Sequence, residues 1–114
     1  MPKPDATIGQ FSTGPILEEI LLDPQGNPYD LTGATVDYLF VKRDRSAAGV
    51  HGHVTIPSPP TSGAAQQVWQ AGDTDVFGFF DYQWTITLAN GQIVTVPADP
   101  DHPYRLLQII KKLA

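Results

Sequence analysis

The chain has 114 residues and a net charge of −5, from 12 acidic and 7 basic side chains, which suits one domain with one core. With no cysteine, disulfides, thiolate catalysis and cysteine-ligated zinc are excluded. The acidic balance argues against phosphate-backbone binding, because the densest basic cluster, Lys42, Arg43 and Arg45, is interrupted by Asp44.

Residues 1–7 begin with MPKPD and read as an extended N-terminal arm of a single domain spanning 1–114. Lys3 is not followed by an apolar run, so no secretory signal is expected, and no stretch is long enough to cross a bilayer. Ile8 to Phe11 is a candidate first edge strand. The run PILEEILL, 15–22, fits either a short helix or a strand with Ile16, Glu18, Ile20 and Leu22 on one side. Pro15 and Pro24 confine it, which favours strand.

Asp23 to Pro28 reads as a turn, and Asp30-Leu31-Thr32-Gly33 as a second, with Leu31 plugging the core. Residues 35–43 form a long strand. Val36, Tyr38 and Phe40 share one face; Asp37, Leu39 and Val41 share the other. Val50 to Ile56 is expected as a strand carrying His51 and His53 on one face. Residues 57–63, rich in proline and serine, read as an irregular surface loop, and Ala64 to Gln70 resumes as a strand with Val68 or Trp69 inward.

The clearest element is 80–88, where Phe80, Tyr82, Trp84, Ile86 and Leu88 alternate with polar residues. Asn90-Gly91 then predicts a two-residue type I′ hairpin, setting Leu88 opposite Ile93 and Ile86 opposite Thr95. That register puts Val94 and Val96 on the outer face with Thr85 and Thr87. After the loop PADPDHP, Tyr104 to Ile110 closes the sheet, although 105–114 also fits a helix. Frequent turns, with 11 prolines and 10 glycines as punctuation, predict an all-β antiparallel sandwich of seven or eight strands.

Few residues offer chemistry. His51-x-His53 is half of a metal site that Asp99, Asp101 and His102 could in principle complete. Two histidines at this spacing with no third ligand of known geometry are a weak signal, and exposed strand polarity explains them. Asp73 with Asp75, like Asp99 with Asp101, lacks the glycine and distal glutamate of a calcium loop, so turn formation explains them. Glu18 and Glu19 are adjacent on a strand and point to opposite faces. No nucleophile elbow or phosphate cradle is present. No catalytic residue, metal ligand or cofactor is assigned, and the chain is not expected to be an enzyme.

The run LDPQGNPYDLTGATV (22–36) and the run GDTDVFGFFDYQWTITLANGQIVTVP (72–97) occur in the order found in one known family. With Asp30-Leu31-Thr32-Gly33 and Thr95-x-Pro97 as its motifs, the sequence over about 8–110 resembles the N-terminal domain of phage upper baseplate proteins. The resemblance implies an immunoglobulin-like sandwich that docks one virion component onto another. Members of that family continue into long helical or fibre regions, whereas this sequence ends at Ala114. The expectation is therefore an adaptor of the tail or baseplate, the neck or the capsid surface, made in the host bacterial cytoplasm and located in the virion.

Its expected partners are other virion proteins and other copies of itself, with no nucleic acid and no membrane. Only 17% of residues are charged, below the roughly 25% of typical domains, which points to a partner surface. The candidate is the uncharged outer patch of Leu39, Val41, Thr85, Thr87, Val94 and Val96. A carbohydrate-binding or host-attachment module is the alternative, because some of the 11 aromatic residues are placed to stack on sugars from an outer face.

Overall fold

The computed structural model describes residues 4–46, 48–97, 101 and 103–113. Among them are nine strands and one short 3₁₀ turn. The strands are β1 (Ala6–Gly9), β2 (Leu17–Ile20), β3 (Thr35–Lys42), β4 (Val50–His51) and β5 (Val54–Thr55), then β6 (Ala64–Gln67), β7 (Gly78–Thr87), β8 (Ile93–Val96) and β9 (Arg105–Ile110). A large sheet runs β1-β9-β7-β3-β4, with β8 also paired to β7; a small sheet runs β2-β6-β5. The two sheets pack as an all-β sandwich.

The ten-residue β7 organises the large sheet because its alternation is the longest in the chain. It pairs with β3 along one edge from Phe80↔Lys42 to Thr87↔Thr35. Its other edge is shared end to end by β9 and β8. The inward row of β7 (Phe80, Tyr82, Trp84, Ile86) is buried, as are Tyr38 and Phe40 of β3. Val36 and Leu88 pack against that core at its margin. Tyr38 sits at the centre, with ring centroids 4.8 Å from Trp84, 5.1 Å from Tyr82 and 5.9 Å from Trp69. Such tilted and edge-on pairs add to the area they bury. Leu31 fills the core from its turn, as expected.

Several expectations are corrected. The β7–β8 connection is a three-residue loop. Gly91 N donates to Leu88 O (2.9 Å), Leu88 N donates to Gln92 O (2.8 Å), and Gly91 takes a left-handed φ of 89°. Asn90 Oδ1 accepts the Gln92 N–H at 2.9 Å, which holds this turn instead of a type I′ turn. The extra residue shifts the register by one, to Thr87↔Ile93, Ile86↔Val94 and Trp84↔Val96. A one-residue slip exchanges the faces of a strand. Val96 is therefore buried and Val94 packs against the core, while Ile93 and Thr95 face outward.

The expected strand over Val50 to Ile56 breaks at Gly52 and changes sheets. Gly52 N donates to Tyr38 O (2.7 Å) at the large sheet, and His53 N donates to Gln67 Oε1 (2.9 Å) at the small one. A β-carbon at Gly52 would overlap the Gln67 side-chain amide, so this corner requires glycine. Residues 60–62 of the expected irregular loop form the 3₁₀ turn, whose Pro60 O accepts from Leu31 N.

β1 starts at Ala6, so the last two residues of the expected arm belong to a strand; Met1 to Lys3 lie outside the described residues. β1 pairs with β9 in parallel, a departure from an all-antiparallel arrangement. The segment from Arg105 to Ile110 is strand, which decides between the two readings of 105–114 for those residues.

The small sheet meets the core through Leu17 and Glu19 of β2, Ala65 and Gln67 of β6, and the following Trp69. Glu19 Oε2 accepts from Arg105 Nε of β9 at 2.7 Å, and its Oε1 stands 3.5 Å from Tyr82 Oη. This ion pair links the sheets across the sandwich. Burial and the nearby Glu19 carboxylate push the phenols of Tyr38 and Tyr82 well above the ordinary tyrosine range.

Candidate binding cradle on the large sheet

The outer face of the large sheet is set by the same register that builds the core. Cross-strand pairing places Val41 opposite Asp81 and Leu39 opposite Gln83, with Leu106 of β9 opposite Asp81 on the far side. Tyr104 precedes β9 and stands beside Gln83. A concavity of about 240 Å³ on this face is lined by Leu39, Val41, Arg45, Asp81, Tyr82, Gln83 and Tyr104.

Asp81 is the electrostatic centre of this cradle. Only 10% of its side chain is exposed, although it points away from the core. Arg43 donates to Oδ1 through Nε (3.0 Å) and Nη2 (2.9 Å), and Arg45 donates to Oδ2 through Nη1 (3.0 Å). Arg45 also donates to Lys42 O (3.2 Å), and its guanidinium lies 5.8 Å from the centre of the Tyr104 ring. Two half-exposed arginines thus share one sheltered carboxylate. The basic run from Lys42 to Arg45 folds back over the sheet, because Arg43 N bonds to Phe79 O and Arg45 N to Lys42 O.

The chain returns over the same face at Gly49. A β-carbon there would stand 2.9 Å from Leu39 Cδ1 and 3.0 Å from Val41 Cγ2. Of the six expected interface residues, Leu39, Val41, Thr85 and Thr87 are outward and half-buried, whereas Val94 and Val96 serve the core. The patch is also not uncharged. Asp81 divides it, and Asp37 pairs with His51 Nδ1 at 2.7 Å.

A second surface was not anticipated. At one end of the sandwich, Gln10 N bonds to Ile110 O, Phe11 N to Thr74 O, and Lys112 N to Gln10 Oε1. These bonds gather the end of β1, the loop before β7 and the chain after β9. Phe11, Val76, Phe77, Ile110 and Leu113 are all exposed there, and Lys111 Nζ lies 5.3 Å over the Phe77 ring. No local sequence signal joins residues so far apart. The only hint was the choice of large apolar residues next to turns.

The remaining candidates take structural roles. His51 and His53 flank the Gly52 corner and no longer share a strand. Among the described residues, no three His, Cys, Asp or Glu side chains are grouped to hold a metal ion; Asp99 and His102 lie outside the described residues. Asp73 Oδ2 accepts from Gln70 N at 2.9 Å, as a turn residue does. Hydrogen bonds from Thr32 hold the Asp30 carboxyl below its usual range, and those from Ser46 do the same for Asp44. Glu18 is exposed and bonded to Gln66, and Glu19 points to the opposite face.

No protein-family model, curated protein or solved structure gives a significant match to the chain.

Proposed function

We propose that the chain is a structural docking module of a bacteriophage particle, an immunoglobulin-like sandwich that joins neighbouring virion proteins or copies of itself. It works in the tail or baseplate, the neck or the capsid surface, without catalysis. The observation that carries this reading is the apolar end formed by Phe11, Val76, Phe77, Ile110 and Leu113. Several large apolar side chains exposed together mark an interaction surface more often than single exposed residues do. The resemblance to phage upper baseplate proteins supplies the setting. Its two segments lead into β3 and form β7–β8, which make up the central ladder of the large sheet.

The test uses Phe11→Asp combined with Phe77→Asp. Phe11 is 58% and Phe77 46% exposed, so a loss of no more than about 1 kcal/mol per site is expected. Particles from cells producing the phage are banded on a density gradient and probed for the chain. Wild-type protein is expected in the particle band and the double variant in the free fraction. A wild-type chain absent from particles overturns the virion reading. A folded variant incorporated normally overturns the role of this surface.

A further inference from the structure

We propose that the cradle of Arg45, Asp81, Gln83 and Tyr104 over Leu39 and Val41 binds one carboxylate-bearing sugar ring, a uronic-acid residue of an acidic glycan. This site is separate from the apolar end and does not depend on the docking function.

Charge comes first. In a chain of net charge −5, the cradle's lining carries Arg45 and Asp81, and Arg43, bonded to the same carboxylate from outside the lining, leaves Arg45 less fully neutralised by it. Arg45 uses only Nη1 in hydrogen bonds, and half of its side chain is exposed. Its remaining N–H groups offer the forked geometry that suits a carboxylate. The contact with Asp81 and the stacking on Tyr104 hold the guanidinium in place, which lowers the ordering cost of binding.

The other lining groups match a hydroxylated ring. The Gln83 side chain makes no hydrogen bond among the described residues, leaving both a donor and an acceptor for sugar hydroxyls. Asp81 accepts three hydrogen bonds, and a carboxylate has about four acceptor sites; the unused one is on Oδ2. Tyr104 is half exposed, and with Leu39 and Val41 it gives an apolar surface for the C–H face of the ring. At about 240 Å³, the concavity is below the size of drug-sized pockets, roughly 300–1,000 Å³, and suits a single ring. An acidic peptide side chain would satisfy Arg45, yet it carries no hydroxyl donor for Asp81.

The test is an amide NMR titration of the whole chain with glucuronic acid, glucose and acetate as separate probes. Saturable shifts at Arg45, Gln83 and Tyr104 are expected with glucuronic acid alone. Arg45→Gln should weaken binding by about tenfold, the loss of one charge-assisted contact, and Tyr104→Ala by a similar factor, the loss of the apolar surface under the ring. Melting curves confirm that these variants fold, and Ile20→Gln, on the outer face of the small sheet, should bind like wild type. Three results overturn the proposal: no saturable shift with glucuronic acid, an equal response to glucose or acetate, or undiminished binding by folded Arg45→Gln.

Discussion

The two sheets close one core with different chemistry. The large sheet contributes Tyr38, Phe40, Phe80, Tyr82, Trp84, Ile86, Leu107 and Ile109, whereas the small sheet contributes Leu17, Glu19, Ala65 and Gln67 to the same interior. The large sheet is therefore held mainly by area and ring packing, which tolerate some adjustment. The small sheet buries polar groups and depends on particular partners: His53 N for Gln67 Oε1, and Arg105 for Glu19. A buried polar group left unpaired costs more than its hydrogen bond contributes. The short strands of the small sheet have little apolar area to offset such a loss.

The contrast can be broken from either side. The largest effect is expected from Trp84→Ala, because the indole is fully buried against Tyr38 and Val96 is its partner on β8. Chemical denaturation should show a loss of about 3–5 kcal/mol; an unchanged midpoint would mean that this ring is not in the core. Next comes Gly52→Ala, which places a methyl group against the Gln67 amide at the corner between sheets. A loss of about 1–3 kcal/mol is expected for this overpacking, and Gln67→Ala in the same chain should recover part of it. If the two substitutions simply add, the corner is not governed by that contact.

The smallest effect sharpens the comparison. Glu19→Gln keeps the shape of the side chain and removes the charge facing Arg105. A loss of about 1–2 kcal/mol is expected, less than for a fully buried pair, since Arg105 keeps 34% of its side chain exposed. The loss should disappear when measured in an Arg105→Met background. A full additive loss there would assign the role of Glu19 to something other than the ion pair.

How far the molecule was legible in its sequence differs between β3 and β8. The inner face of β3 and β7 followed from alternation, because Tyr38, Phe40, Tyr82 and Trp84 leave one arrangement that buries the rings together. β8 alternates only weakly: Ile93, Val94, Thr95 and Val96 offer an apolar residue to either face. Its orientation rests on whether the loop holds two residues or three, and Asn90-Gly91 suits both. Glutamate at Val96 would therefore disrupt the core, not an interface. The cradle was half legible. Leu39 and Val41 were expected to face outward, but the sheltering of Asp81 by Arg43 and Arg45 requires the β3–β7 register and the fold-back of the loop after β3.

By itself the sequence determined an all-β chain, the inward rows of β3 and β7, the Leu31 plug and the absence of cysteine chemistry. These are local matters, decided by side-chain periodicity and turn residues within a few positions. Only the tertiary structure decided the parallel pairing of β1 with β9, the sheet change at Gly52, the Glu19–Arg105 link and the meeting of Phe11, Phe77 and Ile110 at one end. Each of these joins segments distant in the chain. Hydrogen-bond register and sheet packing select such contacts, and a local run of residues does not encode either one.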